Sequence, residues 1–199
     1  KKAVSHLNEN KLLRTLDLTD EEKESINNYN FLTTKPTLYV ANVEENDLIS
    51  GNNKYVKEIE KLAKEEGSIV ITISAKIEEE LAKLEKEEAI EYLESLNIKE
   101  TGLEKLIKAS FQLLGLITFL TTGEQETRAW TIKEGMSAQM AAGKIHTDIS
   151  KGFIKAEVIS YDDMIKYNGR VGAREVGKAR IEGKEYIVQD GDVILFFHN

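Results

Sequence analysis

Two apolar runs about thirty residues apart, each ending in polar residues, organise the first part of the chain. Thr37-Leu38-Tyr39-Val40-Ala41-Asn42-Val43 reads as a buried strand that carries Asn42 and Glu45 to a loop. Ser68-Ile69-Val70-Ile71-Thr72-Ile73 reads as a second strand and carries Ser74, Ala75 and Lys76. Between them the pattern predicts a polar loop over 42–53 and a helix over Lys54–Glu66. That helix has Tyr55, Ile59, Leu62 and Ala63 on one stripe and stops at Gly67. Further helices are predicted over Lys76–Lys86 (Ile77, Leu81, Leu84), around Ile90, Leu93 and Leu96, and after Thr101. The last opens with a Thr101/Glu104 capping box and buries Leu103, Leu106, Ile107, Phe111 and Leu114. Strands separated by helices of this length imply a parallel sheet. In such sheets ligands bind at the carboxyl ends of the strands.

The flanking segments have different periods. Residues 1–32 are polar and helical, with Val4, Leu7, Leu12 and Leu16 spaced for one arm of a helical hairpin or short coiled coil. Thr19 and Glu22 form a capping box ahead of a second helix holding Ile26 and Tyr29, and Lys35-Pro36 ends helical structure. From about residue 116 short strands take over. Leu116–Thr121 and Thr127–Ile132 flank a hairpin turn at Gly123-Glu124-Gln125, and Ser137–Ala142 is a small helix. Phe153–Ile159, Val171–Val176, Tyr186–Val188 and Val193–Phe197 read as strands parted by turns, the sharpest at Gln189-Asp190-Gly191-Asp192. Four or five strands with one helix in this span predict a ubiquitin-like β-grasp module. The expected organisation is a helical arm (1–32), an α/β domain (33–115) and a β-grasp domain (116–199).

With 41% hydrophobic residues the chain can bury a real core, and its net charge is −8. The charge is uneven. Residues 1–120 hold 16 Lys/Arg against 23 Asp/Glu, and residues 121–199 hold 11 against 12. An acidic body argues against broad sequence-independent binding of nucleic acid. There are no cysteines, so disulfides and thiolate chemistry are excluded. Three scattered histidines (His6, His146, His198) form no metal-ligand pattern. No run approaches a membrane span and no signal-peptide pattern opens the chain, so a reducing, cytoplasmic setting is expected. No G-x-x-x-x-G-K-S/T motif occurs, so no phosphate cradle and no Mg²⁺-binding hydroxyl are supplied. A chain opening Lys1-Lys2-Ala3 is expected to be a fragment.

The two strand ends resemble the base-reading half of a nucleotide site. Guanine presents N1–H and an exocyclic amine, and GTPases end the first of these strands in Asn-Lys-x-Asp so that the aspartate accepts from both. Here the positions are Asn42-Val43-Glu44-Glu45. Asn42 keeps the amide that can pair with purine N7, and Val43 removes the lysine stem that covers the ring. Glu45 sets the carboxylate one methylene too far out, and losing that charged contact costs roughly 1.5–3 kcal/mol, enough to abolish a GTP preference. Ser74-Ala75-Lys76 can supply a backbone amide to the base and a lysine stem over it. The structural alternatives are that Asn42 caps a turn and Ser74 caps a helix.

In the last domain, Arg170, Arg174, Lys178 and Arg180 interleave with glycines in a run that can bind phosphate or be a solvated face neutralised by Glu157, Glu175 and Glu182. Trp130 and Phe153, in alternating strands, read as core, and His146 as a structural histidine.

Beyond these patterns, long stretches resemble the YchF family of Obg-like ATPases, in the translation-factor class of P-loop NTPases. They include Phe31 through Val43, Ser74-Ala75-Lys76-Ile77-Glu78, Arg128-Ala129-Trp130-Thr131-Ile132, Ile145-His146-Thr147-Asp148, Lys151-Gly152-Phe153-Ile154 and Asp190-Gly191-Asp192-Val193. The resemblance implies a partial P-loop NTPase with a Rossmann-like parallel sheet, a coiled-coil arm and a TGS domain. It places the family's adenine-tolerant Asn-x-x-Glu motif on Asn42 and Glu45, and its Ser-Ala-Lys loop on Ser74, Ala75 and Lys76. It implies slow hydrolysis of ATP, with GTP as a second substrate and Mg²⁺ as cofactor in the intact protein. Ribosomes are the implied partner, with RNA reached through the TGS domain and arm. No membrane partner is implied, and a monomer is expected. The phosphate loop, switches and Mg²⁺ ligands would precede Lys1, so this chain alone is expected to be inactive, with no catalytic or metal residues and no tightly bound cofactor. The alternative is a non-enzymatic RNA- or protein-binding module acting through the TGS domain.

Overall fold

The computed structural model describes residues 1–123 and 126–199. Its packing divides into two compact units, Lys1–Leu113 and Leu114–Asn199.

The first unit begins with α1 (Lys2–Asn8) and α2 (Asp20–Asn27). The helical pattern expected to run through Leu16 breaks after Asn8, because Asn10 adopts φ 57° and the chain then forms only a 3₁₀ turn at Leu13–Thr15. Asparagine tolerates this left-handed geometry better than most residues. Leu13, not Leu12 or Leu16, is the buried anchor of the segment. The Thr19/Glu22 capping box forms with both arms, while Tyr29 lies beyond the helix and is exposed.

Next come β1 (Leu38–Asn42), α3 (Glu45–Ser50), α4 (Lys54–Glu66), β2 (Ile69–Ile73), α5 (Ala75–Leu81), α6 (Lys86–Ser95) and α7 (Gly102–Leu114). Strands β1 and β2 are parallel, with Leu38 opposite Ile69 and Asn42 opposite Ile73. The 42–53 segment is not a plain loop: α3 forms there, with Glu45 and Asp47 complementing its amino-terminal dipole and Gly51 at φ 62° ending it. α4 is as expected, opened by Asn53 Oδ1, which accepts from the amides of Tyr55 and Val56, and closed by Gly67 at φ 66°. Its inward stripe is Val56, Ile59 and Ala63; Tyr55 and Leu62 are exposed. The helix expected over Lys76–Lys86 ends at Leu81. α7 has the Thr101/Glu104 box, but Leu103, Ile107 and Leu114 lie on its exposed side, and Gly102 and Ala109 are its buried residues.

The second unit contains β3 (Leu116–Thr122), β4 (Thr127–Lys133), α8 (Ala138–Ile145), α9 (Thr147–Lys151), β5 (Phe153–Ser160), α10 (Tyr161–Lys166), α11 (Arg170–Glu175), β6 (Arg180–Glu182) and β7 (Asp192–His198). The strands lie in the order β4-β3-β7-β5-β6, with β3 and β7 parallel and the other neighbours antiparallel. Counted within the unit this is 2-1-5-3-4, the order of a β-grasp sheet. Phe119, Ile132, Ala156, Val158 and Ile194 from the sheet pack with Ala138 and Ala141 of α8, whose short side chains let the helix lie close to the strands. Trp130 and Phe153 pack against this core. Gly123 is described, whereas Glu124 and Gln125 of the expected hairpin turn lie outside the described residues.

Two expected strands are absent. Val171–Val176 falls in helix α11: Gly169 at φ 105° opens it, and Gly172 lies so near Tyr167 that a Cβ would meet its carbonyl oxygen at 1.9 Å. Tyr186–Val188 makes only an isolated bridge, Ile187 to Ser137, although Val188 reaches the core. One strand was hidden in the cationic run (β6), and three short helices (α9, α10, α11) join the one expected.

Candidate nucleotide-base site

At the carboxyl ends of β1 and β2 a cleft of about 590 Å³ is lined by Asn42, Val43, Glu44, Glu45, Asn46, Ser74 and Lys76. The ladder continues one residue past β1, where the Val43 amide donates to the Ile73 carbonyl at 2.9 Å. The Ala75 amide donates to Asn42 Oδ1 at 3.0 Å, tying the two loops across 33 residues of sequence. Asn42 therefore directs its carbonyl to the neighbouring loop, and its Nδ2 is the group left to donate outward. The Ala75 amide expected to reach a base is taken by this contact, so Ala75 shapes the cleft without lining it. Glu44 and Asn46 complete the lining; no spacing rule marked them, because α3 is what folds them back.

Ser74 stands at the amino-terminal cap position of α5, but its side chain makes no capping bond. It is 1% exposed, and its Oγ is buried without a partner. A buried hydroxyl left unpaired costs free energy. Lys76 is exposed at the mouth.

Support for the two loops comes from residues that sequence patterns did not single out. Glu78 of α5 accepts from the amides of Gly102 at 2.6 Å and Leu103 at 3.3 Å, fixing α5 to the start of α7. On β1, the Tyr39 hydroxyl donates to Glu66 at 2.8 Å, and Arg14 Nη2 holds the same oxygen at 2.7 Å. The bonds from Tyr39 and then Arg14 hold the Glu66 carboxyl below its usual range, and the bond to Glu66 raises Tyr39. Tyr92 donates to Glu80; that bond, burial and the nearby negative charges of Glu80 and Glu45 push its phenol up to about 12.

In the cationic run of the second unit the three arginines are held by the protein's own groups, whereas Lys178 is exposed and takes part in no ion pair among the described residues. Glu157, 5% exposed, takes Arg170 Nη1 at 2.8 Å and Arg174 Nε and Nη2 at 2.7 and 3.0 Å. Residues 170 and 174 sit one turn apart on α11 and so share a face. Arg180 is bonded to Tyr186 and lies near Glu182 and Asp192. His146 caps α9, its Nδ1 accepting from the Asp148 amide at 3.2 Å. Among the described residues no group of three His, Cys, Asp or Glu could hold a metal ion, and no helix is long and apolar enough to cross a membrane.

The fold thus defines an α/β protein with polar loops at the carboxyl ends of parallel strands, joined in sequence to a mixed β-grasp sheet. The family model YchF-GTPase_C, described as "Protein of unknown function (DUF933)", matches residues 116–199. A protein of Bacillus subtilis (strain 168) named "Ribosome-binding ATPase YchF" is 50% identical over 187 residues, 94% of this chain and 51% of that protein. One of the same name from Escherichia coli O157:H7 is 47% identical over 198 residues, 100% of this chain and 54% of that one. The solved structure titled "Structure of the Schizosaccharomyces pombe YchF GTPase" superposes with a TM-score of 0.86 at 37% identity, covering 98% of this chain and 52% of that one. The chain belongs to the YchF family, and it spans about half the length of the curated relatives it matches.

Proposed function

We propose that this chain supplies the base-binding loops and the TGS-type β-grasp domain of a ribosome-associated nucleoside triphosphatase that takes ATP at least as readily as GTP. The observation that carries the reading is the Asn42–Ala75 bond. It joins the two loops into one cleft and leaves Asn42 Nδ2 to donate to purine N7, an acceptor that adenine and guanine share. Base preference then depends on the carboxylate. Glu45 stands where guanine-specific sites hold the shorter aspartate, and its longer side chain forfeits the close two-point contact with the guanine amines. The exposed Lys76 stem can cover the ring. Val43 contributes an apolar edge.

The relatives named as ribosome-binding ATPases support the ribosome as partner and ATP with Mg²⁺ as the substrate complex of the whole protein, working in the cytoplasm. Residues 1–32 read as part of the family's helical arm. Phosphates and Mg²⁺ would be held by groups outside this chain, whose own residues orient the base. Competition between ATP and GTP on the full-length protein tests the assignment. Comparable affinities, or tighter ATP, are expected; a GTP preference of about tenfold or more, worth about 1.4 kcal/mol, would overturn it. The isolated chain should release no phosphate above background in a malachite-green assay, and turnover equal to that of the full-length protein would contradict the division of labour.

A further inference from the structure

Strand β2 is paired on one side only. It joins β1 and, among the described residues, no other strand. The Ile69 amide donates to the Thr37 carbonyl at 3.3 Å, and the Ile73 carbonyl accepts from Val43 at 2.9 Å. The main-chain groups of residues 69, 71 and 73 therefore face β1. Because successive residues of a strand alternate sides, those of Val70 and Thr72 face away.

A cleft of about 540 Å³ opens along that free edge. It touches the four consecutive residues Ile69, Val70, Ile71 and Thr72 and is walled by Glu60 of α4 and by Lys105 and Ala109 of α7. Successive side chains point to opposite faces, so a cleft touching four in a row runs along the edge and not over one face. Natural edge strands are blunted by charges, prolines or bulges. β2 reads Ile-Val-Ile-Thr-Ile, and its register with β1 is unbroken. An extended peptide main chain offers the complementary alternation of donors and acceptors.

We propose that this edge binds an extended segment of a partner protein by β-strand addition, with a basic side chain toward Glu60 and an acidic one toward Lys105. Charge selects the occupant. Lys108 is already held by Glu100, and Asp47, which also lines the cleft, accepts from Asn53 Nδ2 at 2.6 Å, whereas Glu60 and Lys105 take part in no ion pair among the described residues. A second copy pairing antiparallel would do so about a twofold axis normal to the sheet. That operation keeps each face of the sheet on its own side, so Glu60 would share a face with its own copy, as would Lys105, and symmetry supplies neither with its complement.

The probe is a fluorescein-labelled peptide, Thr-Lys-Glu-Val-Val-Thr, titrated with the chain and followed by anisotropy. Saturable binding is expected. N-methylating one alternate set of its amides should weaken it by about tenfold or more, and methylating the other set should not, because only one set faces the edge. Thr72→Pro removes an outward amide while leaving every β1 ladder bond, so it should lose the peptide and keep its far-UV circular dichroism. Lys105→Glu should weaken the peptide and favour one with Lys in place of Glu. Equal affinity of the two methylated peptides, or no saturation by about 1 mM, the weak end of specific binding, would overturn the proposal. A full-length protein that refuses the peptide while this chain binds it would overturn the partner assignment, since the edge would then be filled from within.

Discussion

Replacing Glu157 by Gln removes the charge on which two arginines converge, with little change of shape. Glu157 is 5% exposed, the Arg170 side chain 16% and the Arg174 side chain 49%. Breaking a buried ion pair by deleting one partner costs about 3–5 kcal/mol. Gln keeps one carbonyl acceptor and Arg174 can turn to water, which brings the expected loss to about 2–3 kcal/mol. A unit the size of Leu114–Asn199 has roughly 0.05–0.15 kcal/mol per residue to lose, about 4–13 kcal/mol in all. With a urea dependence of about 1–2 kcal/mol per M, the midpoint should fall by about 1–3 M. Trp130 is the only tryptophan and packs against the core of this same unit, so its fluorescence isolates the transition. Acid gives a second readout. Burial pushes the Glu157 carboxyl up, but the bonds from Arg174 and Arg170 outweigh it and hold the group below its usual range. Its folded pKa is thus below the unfolded value of 4.5. The contribution is complete above that value and is lost as pH falls through the folded pKa. The native chain should therefore lose stability below about pH 4.5 more steeply than the Gln variant. An unchanged midpoint at neutral pH, or identical acid slopes, would refute the reasoning.

Gly102→Ala would place a Cβ 2.8 Å from Ile73 Cγ2 and 2.9 Å from Glu78 Oε1. A loss of about 1–3 kcal/mol is expected, seen by far-UV circular dichroism of the first unit with the Trp130 transition unmoved. Asn42→Ala removes the acceptor of the Ala75 amide. It should cost about 1 kcal/mol and speed hydrogen exchange at Ala75, and unchanged exchange there would show that the two loops are not tied. Glu66→Gln should flatten the acid limb of the first unit. Glu66 has a lowered folded pKa, so its contribution exists above about pH 4.5 and disappears as pH falls; circular dichroism melts between pH 3 and 7 read the difference.

Local chemistry made several elements of this chain legible from sequence alone. Asn53 and Gly67 bracket α4, Thr19 with Glu22 and Thr101 with Glu104 open their helices, and Asp190-Gly191 turns the chain into β7. Each depends on groups within a few residues, so spacing suffices to read it. The polar loops of the candidate site were legible for the same reason: they follow apolar strands directly. Tertiary structure decided what those groups do. Asn42 Oδ1 meets an amide 33 residues away, and that contact reassigns both Asn42 and Ala75. Arg170 and Arg174 resemble a phosphate patch in sequence until β5 brings Glu157 between them. Val171–Val176 alternates like a strand, yet the close approach of Tyr167 to Gly172 and the shared arginine face fit a helix. Leu103, Ile107 and Leu114 are apolar but exposed, because the face of α7 that turns inward is set by Gly102 and Ala109, where small side chains permit close contact. Hydrophobicity sets how much surface is worth burying; only the arrangement of neighbouring elements determines which face they cover.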